Sequence, residues 1–184
     1  MAWDKTKPAD GADLDAEPVR LNFEALDDFL HGVVSSSKAA IRLATITTPV
    51  GNVTTGEDDL MSYTLPAGRL DEDDKVIRVR AWGTMANNGN AKTLRPYFGA
   101  TAVQSVSLTV STTRWNLEMT VVRTGAATQA AHARTEHGSA AANTVAQDVA
   151  SPTETLSGAV VIKLTGEATA TNDIVQSGMI VELA

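Results

Sequence analysis

Two clusters of carboxylates are the residues best suited to chemistry, Glu57-Asp58-Asp59 and Asp71-Glu72-Asp73-Asp74. Carboxylate oxygens are the usual ligands of Ca²⁺, and two carboxylates facing each other across a cleft can hydrolyse a glycosidic bond. Neither cluster has the alternating D-x-[DN]-x-[DN]-G spacing of a calcium loop. Aromatic residues, which line sugar clefts, make up only 4% of the chain. We therefore expect solvated acidic loops and no bound metal.

The three histidines are His31, His132 and His137. His132, Arg134 and Glu136 alternate along a predicted strand and so share one of its faces. A histidine and a glutamate on one face can ligate a metal, but no other histidine lies on a neighbouring predicted strand. The sequence therefore favours a polar face, turned to solvent or to another subunit.

The motifs of common catalytic and cofactor sites do not occur in this sequence. There is no cysteine, so thiol catalysis, thiolate metal sites and disulfides are excluded. No G-x-S-x-G elbow, P-loop or G-x-G-x-x-G turn is present. We expect a protein that is not an enzyme and takes no cofactor.

A few aromatic residues could stack on sugar rings if the protein binds carbohydrate. We expect most of them in the core or in a subunit interface instead. They are Trp82, Trp115, Tyr63, Tyr97 and Phe98.

The elements that position these residues divide the chain at about residue 37. Residues 3–15 have turn signals and no periodicity, which predicts an extended arm. A helix follows over about 16–31, because four apolar residues recur at helical spacing between a cap at Asp15 and a stop at Gly32. The four residues are Val19, Phe23, Leu26 and Leu30.

Residues 38–184 alternate like strands and show no helical period. Lys38–Thr47 is predicted to be a strand, 49–59 a turn-rich acidic loop, and 137–154 a polar stretch with only short pairing. From Leu60 onward we expect eight strands separated by turn signals. They are Leu60–Leu65, Val76–Gly83, Thr93–Ala100, Ser105–Val110, a strand through Trp115 and Val121, Thr128–Glu136, Ala159–Thr165 and Ile174–Leu183.

These elements define an all-β fold, an antiparallel jelly-roll sandwich of about eight strands preceded by an extended arm and one amphipathic helix. The predicted domains are an N-terminal arm with its helix (1–37) and a β-sandwich head (38–184).

Charge and hydropathy limit the partners. The net charge of −7 comes from an excess of acids in residues 1–75, whereas nucleic-acid binding requires lysine and arginine. No apolar run reaches the roughly 18 residues of a membrane-spanning helix, and the start of the chain lacks the apolar region of a secretion signal. We expect no nucleic acid, no membrane, and synthesis in a cytosol.

Two stretches resemble proteins of tailed bacteriophages. Trp3-Asp4-Lys5-Thr6-Lys7-Pro8, followed by Arg20-Leu21-Asn22-Phe23-Glu24-Ala25-Leu26, is similar to the N-terminal segment of many virion proteins. The region from Ser62-Tyr63-Thr64-Leu65-Pro66-Ala67-Gly68 through 75–84 and Asn87–Asn90 to Tyr97-Phe98-Gly99 resembles a β-rich domain of tail appendages, head fibres and decoration proteins.

The resemblance implies a non-enzymatic virion structural protein, assembled in the host cytoplasm, with a homotrimeric jelly-roll head. It would be a capsid decoration protein or a short head or tail fibre, and its position on head, neck or tail stays open. A carbohydrate-binding head for host attachment, which recognises a cell-surface glycan, is the alternative. The anchor to capsid or tail proteins is expected in the N-terminal segment, at Trp3, Pro8, Arg20, Asn22, Phe23, Leu26 and Leu30.

Overall fold

A computed structural model describes residues 40–53, 55–108, 113–139 and 142–184. These residues belong to one compact unit, Ala40–Ala184. Within them all the regular secondary structure is β and no helix forms. The predicted arm, the predicted helix over 16–31 and the seven expected anchor residues lie outside the described residues.

Twelve strands form in the described part of the chain. They are β1 (Ile41–Ile46), β2 (Val50–Gly51), β3 (Glu57–Leu65), β4 (Val76–Met85), β5 (Lys92–Phe98), β6 (Thr101–Ala102), β7 (Val106–Leu108), β8 (Arg114–Gly125), β9 (Thr128–Gly138), β10 (Asn143–Ala150), β11 (Val160–Ala168) and β12 (Ile174–Leu183).

The strands build two sheets in which every pairing is antiparallel. The seven-stranded sheet has the order β1-β12-β4-β8-β9-β10, with β2 also paired to β12. The five-stranded sheet has the order β3-β11-β5-β6, with β7 also paired to β5. Strands that are distant in sequence are therefore neighbours in both sheets, and long connections run from one sheet to the other.

The core lies between the two sheets because each long strand turns alternate side chains inward. In β4, Ile77, Val79 and Ala81 are buried while Arg78, Arg80 and Trp82 face outward. In β8 the inward residues are Trp115, Leu117, Met119 and Val121. Apolar residues of both sheets join in one cluster. The predicted alternation of both strands is confirmed, as is the all-β class.

Two regions differ from the sequence-based expectation. Strand β3 begins at Glu57, so the acids at 57–59 lie in a strand and not in the loop predicted over 49–59. The expectation of only short pairing over 137–154 is also wrong, because β10 pairs with β9 along its whole length. The acidic run at 71–74, in contrast, lies in the connection between β3 and β4, as predicted.

Candidate functional site

The outer face of the seven-stranded sheet carries polar residues in rows that cross β4, β8, β9 and β10. One row joins Trp82, Asn116, Glu136 and Val145, since these residues are consecutive partners in the sheet register. The next row joins Arg80, Glu118, Arg134 and Gln147. The strict alternation of β4 and β8 places these side chains outward, because their neighbours in sequence fill the core.

Trp82 is the large aromatic side chain on this face, and 36% of its surface is exposed. Its register partner on β12 is Gly178, beside an irregularity in the pairing between Gln176 and Gly178. A Cβ atom at position 178 would overlap the six-membered ring of Trp82. The indole therefore packs against the sheet backbone at the glycine, an arrangement in which an aromatic ring covers a residue without a side chain.

Ion pairs hold the side chains around Trp82. Arg80 Nη2 lies 3.2 Å and 3.3 Å from the two carboxylate oxygens of Glu182. Arg134 Nη2 lies 2.5 Å from Glu136 Oε1. An open groove of about 300 Å³ runs past the indole and is lined by Arg80, Trp82, Asn116, Glu118, Glu136 and Ile180. The groove thus combines an aromatic surface with charged and amide hydrogen-bonding groups.

A second charged cluster occupies the outer face of the five-stranded sheet around Glu57. Arg95 Nη1 lies 3.0 Å from Glu57 Oε2 and 2.9 Å from Glu167 Oε2. The hydroxyls of Tyr97 and Thr165 both donate to Glu57 Oε1, at 2.8 Å and 2.5 Å. The side chain of Glu57 is therefore an acceptor at both oxygens, which fixes its position on the sheet.

These contacts determine the protonation of the cluster. Partial burial acts to raise the pKa of Glu57, but the hydrogen bonds from Thr165 and Tyr97 and the charge of Arg95 outweigh it, so the pKa lies below its ordinary value. Burial and the hydrogen bond to Glu57 raise the pKa of Tyr97. Both shifts favour the carboxylate and the neutral phenol, the forms that bond to each other. The cluster thus acts as a static network that binds β3, β5 and β11 together.

Asp59, which belongs to the same sequence cluster as Glu57, also forms an ion pair. Lys163 Nζ lies 2.6 Å from Asp59 Oδ1 and 5.5 Å from the centroid of the Tyr97 ring. The expectation of a solvated loop at 57–59 is therefore wrong about the loop, since these acids lie in a strand, whereas the Asp59 side chain is exposed to solvent as expected. Strand register brings Glu57 and Asp59 opposite cations that lie about 40 and 100 residues away in sequence.

A buried polar cluster lies where the loop after β4 meets the loop before β12. Lys92, which is 1% exposed, donates from Nζ to Asn88 Oδ1 at 2.6 Å and to the carbonyls of Asn90 and Asn88 at 3.0 Å and 3.2 Å. The side chains of Asn88 and Asn90 each donate to Asp173 at 2.8 Å. Burial acts to raise the pKa of Asp173, but these hydrogen bonds and the charge of Lys92 hold it below its ordinary value.

Sequence patterns predicted the turn at Asn87–Asn90 but not this cluster. Asp173 and Lys92 are far apart in the chain, and each looks like an ordinary charged residue beside a turn. The cluster could have been suspected from the position of Lys92. It begins an alternating strand, and the alternation places it on the same inward face as Leu94 and Phe98. A charge at an inward position indicates a buried partner.

The structure places His132 and His137 on opposite faces of β9, and His31 lies outside the described residues. His132, Arg134 and Glu136 lie on the outer face, as predicted, and His137 faces inward. Burial lowers the pKa of His137. No group of three or more His, Cys, Asp or Glu side chains with the geometry of a metal site occurs among the described residues.

The five aromatic candidates separate by burial. Trp115 and Phe98 are core residues, as expected for part of the group. Tyr63 and Tyr97 are half-buried. Trp82 borders an open groove lined by polar groups.

No helix long and apolar enough to cross a membrane occurs in the described ranges. Comparisons of the chain with protein-family models, with curated proteins and with solved structures gave no match.

Proposed function

We propose that this protein is a non-enzymatic structural component of a tailed-phage particle. Its head, residues 38–184, has the jelly-roll fold and forms a homotrimer, and its N-terminal segment binds a capsid or tail protein. The protein acts as a decoration or short-fibre protein, and its chemistry is packing and hydrogen bonding.

The order of the strands is the observation that carries this proposal. In a jelly roll, the first four strands of the chain pair with the last four in reverse order, as two interlocked Greek keys. Eight strands here follow that rule, namely β1, β3, β4 and β5 paired respectively with β12, β11, β8 and β7. Strands β9 and β10 extend one sheet beyond this unit. Jelly rolls are the usual domains of viral capsids and of lectins, which agrees with the resemblance of the sequence to virion proteins.

The surface chemistry supports a static building block. Several charges on both outer sheet faces are engaged in ion pairs, including Arg80 with Glu182 and Arg95 with Glu57 and Glu167. Networks of this kind fix side chains in place on a sheet and keep a protein surface soluble. They suit a domain that projects from a particle.

The test is to locate the protein in the particle. Antibodies against residues 38–184 should label purified virions of the phage that encodes the chain, at positions that repeat with the particle symmetry. The chain should also remain with the particles through a density gradient. If gradient-purified particles contain no copy of the chain, the proposal is wrong.

The groove beside Trp82 favours a second candidate, a carbohydrate-binding head. Sugar rings present C–H groups to an aromatic face and hydroxyls to amide, carboxylate and guanidinium groups. Trp82, Asn116, Glu118 and Arg80 offer these groups along one groove. Binding sites for small polar ligands commonly combine such a surface with a few convergent polar groups.

A glycan array separates the two candidates. If the head recognises sugars, the full-length protein binds a defined subset of host-surface glycans, and Trp82→Ala abolishes that binding. Tyr63→Ala, which changes a half-buried aromatic on the other sheet, should leave it intact. Absence of binding to every glycan at micromolar protein would remove this candidate and leave the structural role.

A further inference from the structure

The sandwich has four sheet edges in its described part, and β10 differs from the other three. An edge strand exposes unpaired backbone groups that another chain can cover, and proteins normally protect such edges with short strands, charges or bulges. Strand β7 has three residues and β6 two. Strand β3 carries Glu57 and Asp59, which are ion-paired, and β1 carries Arg42 beside a bulge in its pairing with β12.

Strand β10 is neither short nor bulged, and it carries one charge. It is eight residues long and pairs without irregularity to β9 alone among the described strands. Every residue from Asn143 to Ala150 is exposed or half-buried, on both faces of the sheet. Asp148 is its single charge. A regular edge of this length with a single charge is open to contact with another chain.

Apolar side chains are concentrated on the outer face of this edge. Val145 is 42% exposed and Val149 is 73% exposed, the highest value for a large apolar residue in the described part. Their register partners on β9 are Glu136 and His132, so both valines stand on the outer face. Val149 also borders a groove of about 490 Å³ with Val122 and Ala130. The two valines, with Gln147 between them, and this groove lie along one side of the sheet and are here called the β10 flank.

Charge determines which partner fits the β10 flank. A symmetric contact brings each side chain near its own copy, so a charged surface repels itself. On the outer face of β10, Val145, Gln147 and Val149 are all uncharged, and Asp148 points to the other face. These three side chains can therefore meet their counterparts in a second copy without opposing like charges, while Glu136, Arg134 and His132 lie beside them on β9.

We propose that copies of this chain associate through the β10 flank, so that Val145 and Val149 of three copies pack in two layers around the symmetry axis. The inference deepens the proposed function, because it rests on the trimeric head and names the surface that closes the trimer. Residues four apart on one strand face lie roughly 13 Å apart, so each layer holds one valine from each copy.

Lysine substitutions at the two valines test the proposal in the full-length chain. We expect the wild type to sediment at three times its 19.3 kDa chain mass, and Val145→Lys with Val149→Lys to sediment as a monomer at the same micromolar concentration. The matched control is Val161→Lys with Val53→Lys. These valines have similar exposed fractions, 41% and 65%, but lie away from β10, so the control should remain trimeric.

Three outcomes of the sedimentation experiment would contradict the proposal, each in a different way. A wild-type trimer with a trimeric β10 variant overturns the assignment of the flank and leaves the trimer. A monomeric wild type overturns the trimer itself, and with it the flank. Dissociation of both variants overturns the assignment too, since added charge alone would then explain it.

A cysteine variant keeps the test valid if the lysine variant does not fold. The chain contains no cysteine, so Val149→Cys introduces a single thiol. Three thiols near an axis should cross-link in pairs on mild oxidation, which leaves about one chain in three unlinked. Val53→Cys should give no cross-link. Absence of cross-links at position 149, from oxidation and from a short bis-maleimide, would overturn the proposal.

Discussion

At the scale of the residue, buried charge is the strongest constraint on this fold. The Lys92 ammonium is enclosed by oxygens of Asn88 and Asn90, whose amides in turn bind Asp173. Each polar group in this chain of contacts satisfies the next, which is the condition under which a buried charge is tolerated. The cluster ties the loop after β4 to the loop before β12, and so joins the ends of two neighbouring strands.

Lys92→Met should therefore be strongly destabilising. The substitution keeps the length of the side chain but leaves the asparagine oxygens unpaired and Asp173 without a nearby cation. A buried polar group that loses its hydrogen-bond partner costs about 1–3 kcal/mol, and more where a charge is involved. Urea unfolding measures the free energy change. Lys163→Met, at the exposed pair with Asp59, is the control and should cost about 1 kcal/mol or less. Equal losses in the two variants would contradict the structural role of Lys92.

His137 makes stability depend on pH. Burial lowers its pKa in the folded protein, whereas the unfolded chain titrates near 6.5. Below that value the unfolded state binds a proton that the folded state excludes. The stability that neutral His137 contributes should thus be fully present above about pH 6.5. It should fall as the pH drops through the lowered folded pKa, by about 1.4 kcal/mol for each unit between the pKa values of the unfolded and the folded state.

His137→Gln should flatten this part of the pH profile. Urea unfolding of both proteins at intervals between pH 7.5 and pH 5 gives the two slopes. The carboxylates with lowered pKa, Glu57 and Asp173, titrate in more acidic solution, so they do not contribute within this window. Parallel profiles for wild type and variant would show that another group is responsible.

At the scale of the element, two glycines let tryptophans pack against the sheet backbone. A Cβ at Gly83 would overlap the carbonyl oxygen of Val175 and lie 2.7 Å from Cζ2 of Trp115, which is buried. The three atoms nearest to a Cβ at Gly178 all belong to the ring of Trp82, which is partly exposed. The first collision involves backbone and core, so it cannot be relieved by a side-chain rotation, whereas the second can.

Alanine at the two positions should consequently have different effects. Gly83→Ala forces strands β4 and β12 apart and should cost at least about 1–3 kcal/mol, as overpacking of a core usually does. Gly178→Ala should cost less, and should shift the tryptophan fluorescence to longer wavelength as the Trp82 ring moves into solvent. Thermal unfolding and emission spectra check both outcomes. A larger loss of stability for Gly178→Ala would contradict the packing described for the two tryptophans.

Strand prediction succeeded where one face of a strand fills the core. In β4 and β8, long alternating apolar residues defined the inward face, and burial follows that pattern. Strand β10 has no buried residue, so Val145, Ala146 and Val149 gave no alternation to detect. The ion pairs of Glu57 and Asp59 were missed for another reason. They depend on which strands become neighbours, and long-range register is not encoded in local periodicity.

At the scale of the whole molecule, the described unit carries its own core. Apolar residues of both sheets meet in one cluster within Ala40–Ala184, and the first strand begins at Ile41. The β10 flank also lies within this unit. Under the proposed function, folding and trimer formation therefore belong to residues 38–184, and attachment to the particle belongs to residues 1–37.

Removal of residues 1–37 should separate these properties. We expect the shortened protein to be soluble, to give the circular dichroism of a β protein with cooperative unfolding, and to sediment as a trimer, because its core and the β10 flank remain. It should fail to join particles that lack the protein. Full-length protein with Trp3→Ala and Phe23→Ala is the companion variant, which should keep the fold and lose attachment, since buried aromatic anchors dominate binding energy at interfaces. Normal occupancy of the particle by the shortened protein would show that the head itself holds the anchor.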